Sequence, residues 1–186
     1  MFSGVSFALA AGATLIVKGP NGAGKSSLLR LLAGFLEPAA GILSWNGRPL
    51  CADPAGHRVR LHLIGHGNAI KSALTVRENL RFASALSGAP VPDIGRALET
   101  FDLAALADVP SLYLSAGQRR RLALARLLAA PRPLWLLDEP DAGLDAASRE
   151  RLAHAIAEHR AGGGITVIAT HGDVGVRAPH VLELAA

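Results

Sequence analysis

Short, mostly unbroken apolar runs recur at residues 14–17, 61–64, 134–137, 165–169 and 181–184. Runs of this length, with little polar alternation, predict strands buried on both faces. At 26–35, 76–87, 116–129 and 146–159 the apolar positions instead recur three or four apart, the period of helices with one covered face. Strand and helix therefore alternate, which predicts an α/β fold with a mostly parallel central sheet and a ligand edge at the carboxyl ends of the strands. The stretch GILSWNGRPL predicts an antiparallel hairpin arm, with Asn46-Gly47 as its turn. Between 71 and 114 the strand signal vanishes, and proline and glycine at 88–92 separate two helical segments, which predicts a small helical lobe. Thr75 with Glu78, and Ser115 with Gln118, fit the reciprocal capping pattern S/T-x-x-E/Q at two helix starts.

With 186 residues, half of them hydrophobic, the chain can bury one core and a small appended lobe. The expectation is one domain over 1–186 with a helical subdomain at about 71–130; no internal repeat or low-complexity segment interrupts it. A single cysteine, Cys51, excludes an internal disulfide and a multi-cysteine zinc site, and suits a reducing compartment. No run of eighteen apolar residues occurs, and the opening MFSGVSFALAAGATL lacks a basic stretch ahead of its apolar one, so neither a membrane span nor an export signal is expected. The net charge of +4 comes mostly from scattered arginines, and aromatics are only 4%, so no nucleic-acid partner is expected. Arg119, Arg120 and Arg121 read as a solvated helix face.

The sharpest chemistry lies in GPNGAGKSS, residues 19–27, where the predicted strand before Gly19 turns into the predicted helix after Lys25. Only three lysines occur in the chain, and one completes G-x-x-x-x-G-K-[ST]. Glycines at 19, 22 and 24 permit positive φ and close approach, so successive N–H groups can face an anion at a helix N-terminus. Gly19, Pro20, Asn21, Gly22, Ala23, Gly24, Lys25, Ser26 and Ser27 are thus candidates for holding a polyphosphate. Lys25 would supply charge to the β- and γ-phosphates, and Ser26 a hydroxyl ligand for Mg²⁺. A second site element is WLLDEP at 135–140, an apolar strand ending in two carboxylates and a proline. Asp138 would hold Mg²⁺ through water, and Glu139 would orient or deprotonate an attacking water.

Taken together, GPNGAGKSS, LSAGQ at 114–118, LLDEP at 136–140, AGLD at 142–145 and ATH at 169–171 resemble the ATP-hydrolysing subunits of ABC transporters, in matching order over nearly the whole chain. The resemblance implies a P-loop ATPase fold, MgATP as substrate and a head-to-tail pair of copies. Ser115 and the backbone at Gly117, with Gln118, would then touch the nucleotide held by the partner's phosphate loop, where a helix N-terminus suits an anion. Asp145 resembles the residue that crosses the pair's interface, and it is also a good N-cap for a helix starting at Ala146. His171 resembles the histidine that reaches the γ-phosphate. The implied mechanism is in-line attack of water without a covalent intermediate.

Two departures accompany the resemblance. The family's glutamine after the strand RLHLIGH falls here at Gly67, with the shorter amide Asn68 beside it. The family's extra N-terminal strand and adenine-stacking aromatic belong some twenty-odd residues before the lysine, about where this chain starts, so they are expected to be missing or truncated; Phe2 is the aromatic at that distance, read chiefly as an apolar edge residue. Within the family, MFSGVSF, IGHGNAIKSALTVRENLRF, LSAGQRRRLALARL and PLWLLDEP are similar to the ATP-binding subunit of heme exporters used in c-type cytochrome maturation. That likeness implies integral membrane partner subunits, a peripheral place on the cytoplasmic face of the inner membrane, membrane contact only through those partners, and delivery or release of a heme-loaded chaperone. Another cargo such as a lipid or metabolite, or a nucleotide-binding regulatory subunit with impaired hydrolysis, are the alternatives. His62 and His66 read as solvated or nucleotide-adjacent, not as heme or metal ligands.

Overall fold

The computed structural model describes residues 2–86 and 93–185. In chain order they form β1 (Thr14–Lys18), α1 (Lys25–Leu32), a small arm of β2 (Ser44–Trp45) and β3 (Arg48–Pro49), α2 (Pro54–Arg58), β4 (Leu61–Ile64), α3 (Val76–Leu86), α4 (Ile94–Thr100), α5 (Ala116–Ala129), β5 (Leu134–Asp138), α6 (Ala146–Ala161), β6 (Ile165–Ala169) and β7 (His180–Glu183). All five expected strands join one parallel sheet in the order β4-β5-β6-β1-β7. Residues 2–10 form no strand.

The strands are apolar throughout because both faces are covered. Trp135, Leu137, Ile16, Ile64 and Ile168 point into a core shared with α3, α4, α5 and α6. Their neighbours Leu134, Leu136, Leu15, Val17 and Val167 point the other way, into a core shared with α1 and with Trp45 of the arm. The alternation within each strand is the period of two that a pleated backbone imposes. The arm turns where expected, with Asn46 at φ 50° and Gly47 at φ 76°, the pair of left-handed residues a tight hairpin needs.

The first helix ends at Leu32, three residues before the apolar pattern does. Gly34 takes φ 69°, its N–H donates to Leu31 O, and the Phe35 N–H donates to Arg30 O; these two bonds close the helix in a Schellman turn. In the helical lobe, α3 and α4 both pack on α5 around the fully buried Phe101 and Leu103. Thr75 and Glu78 cap α3 reciprocally, at 2.8 and 3.2 Å. Buried Asn79 accepts from Lys71 N–H at 2.8 Å and places its amide nitrogen 2.9 Å from Ser111 Oγ, stitching the loop before α3 to the turn before α5. The proline and glycine break at 88–92 lies outside the described residues.

One histidine departs from expectation. His62 is neither solvated nor beside the phosphate loop: its side chain is buried, and Nε2 donates to Ala130 O at 2.6 Å. Burial, only partly offset by that backbone bond, lowers its pKa to about 4 from 6.5. His159, stacked flat on Trp135 at 3.9 Å, is lowered in the same direction, also by burial. Folding therefore holds both rings neutral, and protons bind more readily to the unfolded chain. The His62 contribution is complete above about pH 6.5 and is lost as the pH falls toward 4, up to about 3 kcal/mol. Urea midpoints measured between pH 7 and 4 should fall accordingly, and His62→Gln should flatten the larger part of that slope.

Candidate active site

The site is assembled where β1, β5 and β6 leave the sheet. Parallel register sets Asp138 beside Ala169, and Ala169 beside Val17, so three loops distant in sequence emerge at one edge. The loop after β1 curls tightly. Gly19 has φ 149°, and a Cβ there would stand 2.5 Å from Leu184 O. Gly24, at φ 97°, lies under the ring of Phe2, which would stand 2.7 Å from a Cβ at that position. Phe2 also packs with the α1 side of the core. No side chain caps α1, so the N–H groups of its first turn are left for an external acceptor.

Lys25, the first residue of that helix, is buried and folds back over the loop. Its ammonium donates to Gly19 O at 2.7 Å and Pro20 O at 3.1 Å. It also lies 2.9 Å from His171 Nε2, which is itself 2.9 Å from Asn21 Oδ1. The ammonium can only donate, and Asn21 Oδ1 can only accept, so a single ring nitrogen serves one of them at a time. Asn21 and Gly22 are exposed, Ala23 is buried, and Ser26 and Ser27 lie half-buried on the first turn.

The two carboxylates of β5 face different neighbours. Asp138 is buried, with Oδ2 3.5 Å from Nδ1 of the exposed His66. Glu139 donates its N–H to Ala169 O at 2.8 Å as though the strand continued, then turns in a left-handed conformation at φ 46°. For a residue with a long side chain that conformation costs roughly 1–2 kcal/mol and must be held by its surroundings. The turn carries Glu139 Oε1 to 3.7 Å from His171 Nε2. Buried Thr170 donates to Asp141 Oδ1 at 2.9 Å and accepts from the Gly172 N–H, fixing the step at which β6 delivers His171.

Lys25, Asn21, His171 and Glu139 are therefore one connected cluster, with Asp138 adjoining it. The other expected residues are occupied elsewhere in the single chain. Ser115 and Gln118 form the full reciprocal cap of α5, at 2.8 and 3.2 Å. Gly117 faces the carbonyl of Gly143, so this segment borders the turn after β5. Asp145 caps α6 by accepting from Ser148 N–H at 2.7 Å, and hydrogen bonding from the Ser148 side chain first, then from that N–H, lowers its pKa. Gly67 is not dictated by space, since a Cβ there would meet nothing within 4 Å. Asn68 turns its amide oxygen to Arg120 instead of to the acids.

The arginine face is corrected as well. Arg119 is exposed, but Arg120 is only 5% exposed and sits behind the acid pair, while Arg121 donates to Phe101 O, Asp102 O and Asp102 Oδ2. Their spacing alone read as solvated; the signal that could have singled out Arg120 is its place between leucines and alanines on the apolar side of α5. Thr170 was legible only as the polar residue that follows the apolar strand.

Known proteins carry the same pattern. The family model described as ABC transporter matches residues 2–142. The cytochrome c biogenesis ATP-binding export protein CcmA of Paramagnetospirillum magneticum is 52% identical over 99% of this chain and 87% of its own length. Its namesake from Rhodospirillum rubrum is 54% identical over 99% of this chain and 79% of its own length. Among solved structures, a putative ABC transporter ATP-binding protein from Pyrococcus furiosus shares the fold, with a TM-score of 0.84 at 24% identity over 97% of this chain and 88% of its own. The cbiO1 protein from Clostridium perfringens, part of the ABC transporter complex cbiONQ, is 26% identical with a TM-score of 0.77, over 92% of this chain and 72% of its own. Among the described residues no helix is long and apolar enough to cross a membrane. Matched by that family model and at least half identical to two ATP-binding export proteins along almost its entire length, the chain belongs to the ABC transporter family as an ATP-binding subunit.

Proposed function

We propose that the chain hydrolyses MgATP to drive a membrane transporter serving c-type cytochrome biogenesis, with heme export and release of a heme-loaded chaperone as its task. The observation that carries the ATPase reading is the convergence of Lys25, Glu139 and His171 at one strand edge, within 2.9 and 3.7 Å of a common imidazole nitrogen. The cargo rests on the names of the relatives, which are cytochrome c biogenesis export proteins at 52% and 54% identity. On this reading residues 1–186 act as one ATPase domain with a helical subdomain at about 71–130. Two copies work head to tail beneath integral membrane subunits, on the cytoplasmic face of the inner membrane.

The residues present suit the substrate. An uncapped helix start with glycines in left-handed conformations offers N–H groups to phosphate oxygens, and the Lys25 ammonium, already among carbonyl oxygens, balances charge on the β- and γ-phosphates. Asp138, a buried carboxylate at a strand end, and the Ser26 hydroxyl are the groups that would hold Mg²⁺. When bound, the ion neutralises charge that develops on the phosphate oxygens. Glu139 orients the attacking water and takes its proton as oxygen bonds to the γ-phosphorus and the bridge to the β-phosphate breaks, leaving ADP and phosphate. His171 spans Glu139 and the γ-phosphate position, and Asn21 offers it a second partner. Ser115, Gly117 and Gln118 of one copy close over the other copy's nucleotide, and Asp145 reaches across the interface between them.

Two experiments test the proposal. Glu139→Gln should lower kcat for ATP about 100-fold or more while retaining ATP binding, and should accumulate an ATP-bound pair visible by light scattering; wild-type turnover in this variant would sink the assigned mechanism. In a strain lacking the gene, heme-stained c-type cytochromes should vanish and return with the wild-type gene but not with Lys25→Ala. Normal cytochromes in that strain, with no second copy of the gene, would point to another cargo.

A further inference from the structure

The segment that leaves β4, residues 65–69, lacks a side chain at Gly67, yet it is bound firmly to the acid turn through another residue. Arg120, on the second turn of α5, places its guanidinium between them. It donates to Asp138 O at 3.1 Å, to Glu139 O at 2.6 Å and to Pro140 O at 3.3 Å on one side. On the other it donates to Gly65 O at 3.0 Å and to Asn68 Oδ1 at 3.3 Å. Arg126, further along the same helix, adds a bond to Asn68 O at 3.3 Å. Burying a guanidinium is costly, and burial lowers the Arg120 pKa against the opposing pull of Asp138, Asp141 and Glu139. The arginine keeps its charge, and its donors meet carbonyl oxygens in a planar fork that a flexible ammonium cannot reproduce.

The carbonyls it holds are those of the strained turn. Glu139 sits at φ 46°, a conformation that persists only if its surroundings over-determine it, and Arg120 clamps the carbonyls of that residue and both its neighbours. The helix that carries Arg120 begins at Ser115, in the segment assigned to the partner's nucleotide. One guanidinium thus links three parts: the turn presenting the hydrolytic carboxylate, the exit from β4, and the helix behind Ser115-Ala116-Gly117.

The geometry points to Arg120 as the positioning residue of the reaction, holding Glu139 in its productive turn and tying that turn to the β4 exit in place of a side chain at 67. This rests on the assignment of Glu139 as the hydrolytic carboxylate. Its consequence is separable from nucleotide binding, because Arg120 meets the site cluster through the Glu139 carbonyl and its hydrogen bonds go to residues 65, 68 and 138–140, not to the loop at 19–27.

The test uses Arg120→Lys and Arg120→Ala in the full chain, purified in whatever complex it forms. ATP affinity is measured with trinitrophenyl-ATP, kcat and KM with MgATP, and amide hydrogen exchange without nucleotide. Arg120→Lys should lower kcat at least 10-fold with ATP affinity within about twofold of wild type. Exchange should quicken together in residues 139–144 and 65–69 and stay unchanged in 19–27. If Arg120→Ala does not fold, Arg120→Lys decides alone. A kcat within twofold of wild type, unchanged exchange at 139–144, or a parallel loss of affinity and kcat with exchange raised everywhere would each overturn the inference. Glu139→Gln assayed alongside separates the two claims. If it turns over normally, the assignment of Glu139 fails; if it is inactive while Arg120→Lys is not impaired, only the role of Arg120 fails.

Discussion

Parallel pairing of β5 with β6 and of β6 with β1 is the constraint on which the rest of the molecule depends. A parallel sheet needs a long crossover between neighbouring strands, so residues adjacent at its edge are far apart in the chain. Here Lys25 and His171 meet at 2.9 Å although 146 positions separate them. The pairing holds because both faces of these strands are apolar and covered, leaving a register slip no face on which to expose its side chains.

The edge concentrates polar groups in a way the interior does not tolerate. Lys25, Asp138 and Thr170 are all buried there, and each has a named partner. Strain is concentrated there too, in the left-handed Glu139, whose carbonyl receives the shortest of the Arg120 bonds. The same physics, applied away from the edge, gives His62 a purely structural part. An imidazole buried beneath the end of α5 and bonded to a carbonyl stays neutral near pH 7.

Helix ends in this chain have two uses. The caps at Ser115 and Asp145 satisfy N–H groups within the chain. The start of α1 has no such cap, and that difference marks it among the longer helices as the one whose first turn can receive a phosphate. Ser115 and Asp145 are both exposed while they cap, so under the proposed pairing capping leaves them accessible to a second copy.

The residues that carry local physics were legible without the fold: the five apolar strands, both capping boxes, the Asn46-Gly47 turn, the glycine-rich loop and the adjacent acids at 138 and 139 all follow from short-range patterns. A local rule determines each of them, whether φ freedom, period or capping geometry. Tertiary structure decided what depends on who faces whom. It placed Arg120 behind the acid turn instead of in solvent, sent Asn68 to that arginine, buried His62 and laid Phe2 across Gly24. It also brought His66 beside Asp138. An arginine reads alike on paper whether its guanidinium meets water or five oxygens of two loops, because those loops lie 18 to 55 residues away and only the packed sheet brings them within reach.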